Sequence, residues 1–161
     1  MELNPENLAY ALRILTTALA GQWYGASQYI SSCESASRDS LPEASMSVDY
    51  FQQMYPNAKN FQGKRAVILG CLGVSQYFLD SSHQSAIYYL ASGISFWSVI
   101  PWTAIGIAHI NKQLMDGDIP KKKDSKWIRG MMSQWDNAHL VRTVAGGLGF
   151  AFALFGMLKN K

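Results

Sequence analysis

The chain has 161 residues, 48 % hydrophobic and 12 % aromatic, with a formal net charge of +3. That is one domain's worth of residues with enough apolar mass for a core, and two cysteines are too few for a disulfide framework. The basic residues alternate with acidic ones, which excludes a nucleic-acid face, and no phosphate loop, CxxC motif, internal repeat or low-complexity tract occurs.

The mean hydropathy of −0.04 is that of an ordinary soluble protein, but the spacing of the charges is not. Four intervals lack Asp, Glu, Lys and Arg: 14–33, 66–79, 81–111 and 143–158. A spanning helix needs roughly 20 mostly apolar residues. The first candidate, about 8–30, is long enough but dilute in strong hydrophobes. Its "ILTTALA" ends in the A-x-A form of a signal-peptidase site, yet the acidic segment before it argues against cleavage. Gly21 and Gly25 form a GxxxG, a weak helix-packing signal.

Residues 31–64 are too many for a plain connector. A short interfacial helix is expected from about Pro42 to Met54, with Tyr50, Phe51 and Tyr55 at headgroup level. The second span, 64–80, reaches length if Lys64 and Arg65 snorkel to the interface. His83, beside Asp80, is expected in a short exposed turn. The third span, 85–110, qualifies outright through "AIYYLASGISFWSVIPWTAIGIAHI". "GDIPKKKDS" follows, a solvated loop or one drawn to anionic lipid heads. The fourth span, 138–158, requires Arg142 at its end.

These elements predict an all-α, four-helix transmembrane bundle, antiparallel up-down-up-down, in which residues 1–161 form a single membrane domain. The long loops, 31–64 and 111–137, fall on one side and carry most of the Lys and Arg, so the positive-inside rule makes both cytoplasmic. A eukaryotic host would place such a multi-pass protein in the endoplasmic reticulum. Cys33 and Cys71 are expected as free buried thiols near the cytoplasmic side.

The fourth helix sorts its residues by size and polarity. With Trp135 at 0° and about 100° per residue, His139, Arg142, Gly146, Gly149 and Ala153 stay within about 40° of it. Val141, Val144, Leu148, Phe155 and Leu158 take the opposite, lipid-directed face. Ionisable groups at membrane depth normally face a bundle interior or wet cavity, so the first stripe points inward. Its glycines admit either a neighbouring helix or a flat ligand. Matching stripes are Arg13, Thr17, Gly21, Tyr24 and Gln28 on the first helix, and Ser95, Ser98, Trp102 and His109 on the third. His109 and Asn111 are expected at the depth of His139 and Arg142. His139 reads as a hydrogen-bonded structural histidine, a general acid or base, or a metal ligand, although no second ligand sits at i+4. Arg142 reads as a partner of Asp136, a phosphate contact or a substrate-anion site. Trp135, Trp127, Trp97 and Trp102 read as interface anchors.

The order "IPWTAIGIAHINKQL", charged loop, "WDNAHLVRT" and small-residue helix resembles the anthrone-oxygenase-like family of small four-helix membrane proteins. Pro101, Asn111, Leu114, Trp135, His139, Arg142 and Thr143 fit its pattern of a proline in the third helix, an Asn and a Leu at its end, and a W-x(2–3)-H-x-x-R-[ST] element opening the fourth. "GQWYGASQYI" and "PEASMSVDYFQQMYPNAKNFQ" resemble its first helix and following loop, so the likeness runs over about 15–158. The resemblance implies a membrane monooxygenase of polyketide biosynthesis that oxidises an electron-rich anthrone to an anthraquinone, with dioxygen as co-substrate and neither metal nor flavin. His139 would take the benzylic proton and Arg142 would stabilise the oxyanion. Trp135, Trp102 and Tyr24 would hold the flat skeleton, with Asn111, His109 and Gln28 completing the substrate site. The alternative is a non-catalytic membrane protein that binds a lipid or quinone-like ligand or scaffolds a partner, and homo-oligomerisation stays open. A small transporter or channel subunit is a third reading, for which four short helices leave little room.

Overall fold

The structure, a computed structural model, describes residues 5–79 and 84–159; Asp80 and His83 lie outside them. The described residues are helical and contain no strand. In chain order they form α1 (Pro5–Tyr29), a π-helical segment π1 (Ile30–Glu34), α2 (Ser35–Asp39) and α3 (Ala44–Leu79). α4 (Ala86–Trp102), a second π-helical segment π2 (Thr103–Ile107), α5 (Ala108–Leu114), α6 (Ile119–Lys122) and α7 (Ser125–Leu158) follow. α3 packs against α4, α4 against α7, α7 against α1 and α1 against α3.

Two rods, Ala86–Leu114 and Ser125–Leu158, are long and apolar enough to cross a membrane. At about 1.5 Å per residue α7 is about 51 Å long, against about 30 Å of hydrocarbon in a bilayer. At its N-terminal end α7 meets the other segments expected as loops. There Ile30, Val48, Phe51, Leu114, Ile119, Ile128 and Met132 share one apolar cluster. A second, formed by Trp23, Leu69, Tyr89, Phe96, Val99 and Ala153 with its neighbours, fills the space between the long helices.

The expected loop at 31–64 is therefore mostly helix. The segment 42–54 does not stand apart: it forms the start of α3, which runs 36 residues through Pro56. Pro56 withholds one backbone N–H and kinks helices rather than always ending them, and burial of Val48 and Phe51 in the shared cluster secures the turns before it. Phe51 is accordingly fully buried inside the protein rather than presented at its surface. α7 begins at Ser125, thirteen residues before the expected span, because Asp124 caps it by accepting from the Trp127 N–H at 2.8 Å. Both cysteines are free, as expected, but exposed.

The outer face of α7 matches the angular count, with Val141, Val144, Leu148, Phe155 and Leu158 all exposed. The inner stripe is filled rather than open. A Cβ on Gly146 would strike the Trp23 ring, and one on Gly149 would lie 2.7 Å from Phe96. These glycines exist to seat aromatic rings from α1 and α4, so the space for a ligand lies elsewhere. Gly21 meets Phe150, while Gly25 faces open space, so that GxxxG is not a helix contact.

α3 and α4 approach most closely at Gly73 and Gly93, where a Cβ on Gly73 would sit 2.5 Å from the Tyr89 carbonyl oxygen and 2.7 Å from the Gly93 Cα. Gly73→Ala should force the two helices apart and destabilise the protein by about 1–3 kcal/mol. Gly25→Ala, in open space, should be neutral or stabilise by up to about 1 kcal/mol through helix propensity. Thermal unfolding in detergent measures both, and equal midpoints for the two variants would refute the close crossing.

Candidate functional site

Between the two apolar clusters lies a layer of buried polar side chains, and α7 supplies its centre. Trp135, His139, Arg142 and Thr143 are all buried. Trp135 stacks on His139 with ring centroids 4.8 Å apart and planes 19° from parallel, as the i, i+4 spacing allows. Its Nε1–H donates to Asn111 Oδ1 at 2.8 Å, and Phe51 meets it edge-on at 5.2 Å. Trp135 is thus an interior platform and not an interface anchor.

α1 and π1 approach from the other side. His139 Nδ1 lies 3.1 Å from Ser31 Oγ, which lies 3.0 Å from Thr143 Oγ1. Thr143 Oγ1 is in turn 2.8 Å from Ser27 Oγ. The opposite ring nitrogen, His139 Nε2, is buried without a protein partner. Arg142 Nη2–H donates to Gln62 Oε1 at 3.1 Å, while Arg142 Nε and Gln62 Nε2 have no partner. Trp23 Nε1–H fastens the Gln62 backbone carbonyl at 2.9 Å.

Asp136 pairs not with Arg142 but with Arg38, whose Nη2 lies 2.7 Å from Oδ1 and 2.5 Å from Oδ2. Arg38 is fully buried and sits over Trp135 at 5.7 Å. This pair fixes the cationic charge above the platform and leaves the Arg142 guanidinium to the layer below.

His139, Arg142, Trp135 and Asn111 line one cavity of about 340 Å³, together with Tyr55, Gln62, Val99 and Thr103. That is within the range of about 300–1,000 Å³ for small-molecule sites. Ile30 of π1 and Thr103 and Ala104 of π2 belong to its wall, so both π-helical segments flank it, as such segments often do at functional sites. Its flank between α3 and π2 carries the exposed residues Lys59, Gly63, Val67, Ile100, Ala104 and Ala108, and there it opens outward. A Cβ on Gly63 would meet nothing within 4 Å. Ile30, Ala58 and Gln62 also border a second cavity of about 670 Å³ containing Glu34. Burial raises the Glu34 carboxyl, and the Arg38 guanidinium opposes that rise.

Four of the eight expected site residues therefore meet at the cavity. Trp102 lies beside it, donating through Nε1–H to the Ala138 carbonyl at 2.9 Å and lining a smaller cavity of about 230 Å³ that Arg142 also walls. Tyr24 stacks on Phe150 at 6.2 Å, and Gln28 is exposed and donates to Ser32 Oγ at 2.9 Å. His109 is exposed on α5 and does not converge with buried His139. The physical reason is common to both helices. Ser95 and Ser98 donate to their own helix at the Ala91 and Ser95 carbonyls and can face outward, while Tyr89, Phe96 and Val99 take the interior. On α1 the buried row is Thr16, Ala20, Trp23, Ser27 and Ile30, one position from the expected stripe, although Arg13 and Thr17 of that stripe are buried too.

Gln62, Tyr55, Ser27, Ser31 and Arg38 are the residues that sequence reasoning missed. Ser27 falls in the 4-3-4-3 spacing of the α1 row, which is a legible signal. Gln62 and Tyr55 carry none, because they lie in a segment that reads as loop. Among the described residues no three His, Cys, Asp or Glu side chains gather as metal ligands.

Fold and site together define an all-helical protein, with two helices able to cross a membrane, enclosing a cavity edged by a buried imidazole and guanidinium. Residues 51–152, well over half the chain, match the family described as anthrone oxygenase, and the chain belongs to that family. Membership supports an oxygenase-like function. Comparison with curated proteins and with solved structures returns no match. The matched segment contains His139, Arg142, Gln62, Asn111 and Trp135, but not the α1 and π1 residues that touch them.

Asp136→Asn should take from fully buried Arg38 its closest counter-charge, leaving exposed Asp39 at 4.0 Å and the weaker field of Glu34. A loss of about 3 kcal/mol or more is expected from an uncompensated buried charge. Asp118→Asn, which breaks only pairs between exposed groups, should leave stability unchanged. Thermal unfolding of the two variants side by side checks the contrast; equal midpoints would show that Arg38 is not held by Asp136.

Proposed function

We propose that this protein is a multi-pass integral membrane oxygenase that oxidises an electron-rich, lipophilic aromatic of the anthrone type with dioxygen, without metal or flavin. One observation carries this reading. A buried imidazole, held through Nδ1 and unpartnered at Nε2, shares a ligand-sized cavity with a guanidinium whose Nε is also unpartnered. A base beside a fixed cation suits a substrate that becomes reactive on losing one proton.

In this reading the three-ring skeleton lies on the Trp135 and Tyr55 side of the cavity. His139 Nε2 takes a proton from the methylene carbon, and Arg142 stabilises the phenolate-like oxygen that the delocalised anion places opposite. The carbanion carbon attacks dioxygen to give a peroxide anion, and the His139 imidazolium returns its proton to make the hydroperoxide. Neutral His139 then takes the second C–H proton as the O–O bond breaks and hydroxide is expelled, and that proton converts the hydroxide to water. The balance is one substrate and one dioxygen to one quinone and one water, the substrate losing two hydrogens and gaining one oxygen.

The four long helices form, in this proposal, an antiparallel transmembrane bundle. The apolar cluster shared by residues from 30–51 and 107–135 supports both long connecting regions lying at one end, and in this reading their Lys and Arg face the cytoplasm. The exposed apolar face of α7 supports lipid contact. The opening between α3 and π2 then admits a lipophilic substrate from the bilayer.

Purified protein given a reduced anthrone should consume oxygen faster than the uncatalysed background in aerobic buffer and form no quinone anaerobically. His139→Gln and Arg142→Gln should each lower turnover at least about 100-fold while retaining detergent-extractable, folded protein. Background rates for wild-type protein would sink the reading for that substrate, and a stoichiometric transition metal in active samples would end the cofactor-free claim.

Access has its own test. Gly63→Trp at the opening should raise KM several-fold and leave kcat nearly unchanged, measured with the anthrone presented in vesicles. An unaltered KM would place the entrance elsewhere.

A further inference from the structure

The hydroxyl groups behind His139 do more than fill space. Thr143 Oγ1 lies 3.3 Å from the His139 backbone carbonyl and 3.5 Å from that of Ser27. A carbonyl only accepts, so Thr143 is the donor wherever it bonds one of these, and its 3.5 Å contact with His139 Nδ1 is too long to compete. With the Thr143 proton on the backbone, its oxygen has two lone pairs for Ser27 at 2.8 Å and Ser31 at 3.0 Å, contacts whose direction follows from where that proton lies. Ser31 also has one proton, which in this arrangement goes to Thr143. Toward His139 Nδ1, at 3.1 Å, it presents only a lone pair.

From this chain of donors we propose that Ser31 and Thr143 are positioning residues that hold His139 as the Nδ1–H tautomer, with the bare Nε2 lone pair turned to the cavity. The reverse arrangement is disfavoured at Nε2. It would turn the Thr143 proton from the backbone to Ser31 and the Ser31 proton to Nδ1, and it would place an N–H on Nε2, which is buried without an acceptor. Orphaned buried N–H groups are rarer in folded proteins than under-used acceptors. Neither serine is within the segment matched to the family, so α1 and π1 supply from outside it the group that sets the protonation pattern of the histidine inside it.

The tautomer is a property of the resting protein, and only its kinetic consequence rests on the oxygenase reading. Protein carrying ring-15N histidine in nanodiscs separates the two, with His139 assigned by the signal lost in His139→Gln. Wild type should show a bonded proton on Nδ1 and none on Nε2. Ser31→Ala, which removes the acceptor, and Thr143→Val, which frees the Ser31 proton to point at Nδ1, should both move the population toward Nε2–H, whereas Ser31→Thr should keep Nδ1–H. A wild-type ring protonated at Nε2, or tautomers unchanged in both Ser31→Ala and Thr143→Val, overturns the proposal, and the wild-type spectrum alone decides if a variant fails to fold. In turnover, Ser31→Ala should lower kcat at least about tenfold with KM little changed, because a misassigned tautomer disables a base without emptying the site. A shifted tautomer with undiminished turnover would remove His139 from the catalytic base role and leave the hydroxyl chain standing.

Discussion

Two ionisable side chains on α7, His139 and Arg142, are buried where neither bulk water nor lipid solvates them, and much of the structure answers to that constraint. A buried polar group without partners costs about 2–7 kcal/mol, depending on the reference state. The surrounding helices therefore present hydrogen-bonding groups at one level: Ser27 and Ser31 from α1 and π1, Gln62 from α3 and Asn111 from α5. The satisfaction is incomplete at the cavity. His139 Nε2, Arg142 Nε and Gln62 Nε2 are among the buried atoms without partners, and all three residues line the cavity.

The two π-helical segments show how the backbone adapts to this layer. Elsewhere the inward residues of α1 and α4 follow spacings of three and four, as in Thr16, Ala20, Trp23, Ser27 and Ile30. Across π1 the row continues with Glu34 and Arg38, and across π2 it runs Val99, Thr103 and Ile107, successive steps of four. A π turn takes up an extra residue, which keeps these rows facing inward where the helices pass the cavity. Pro101, just before π2, lacks the N–H that an α-helix would use.

Much of the site was legible because α7 is regular. A 34-residue helix without an interruption obeys the 100° count, so the grouping of Trp135, His139 and Arg142 and the opposite apolar face both followed from spacing. The count failed on α1 and α4, where it was anchored on polar residues. Serine in a helix can satisfy itself against its own backbone, as Ser95 and Ser98 do, and so its polarity says little about which way it faces. Bulk decided instead. Trp23 and Phe96 turn inward and seat their rings against Gly146 and Gly149, where a Cβ would strike them. The same fact closes the space below His139 that the glycine stripe suggested.

The sequence by itself determined the helical class, the family, the two apolar rods and the polar opening of α7, since each depends on composition or on spacing within one helix. Only the tertiary structure decided that Asp136 holds Arg38, that Gln62 meets Arg142, that Ser31 reaches His139, and that the cavity lies between α3 and π2 rather than under the glycines. Those contacts join residues 80 to 108 positions apart. Periodicity reports which face of a helix is apolar, but which partner that face meets depends on how side chains from separate helices fill a common volume, and no single helix encodes that.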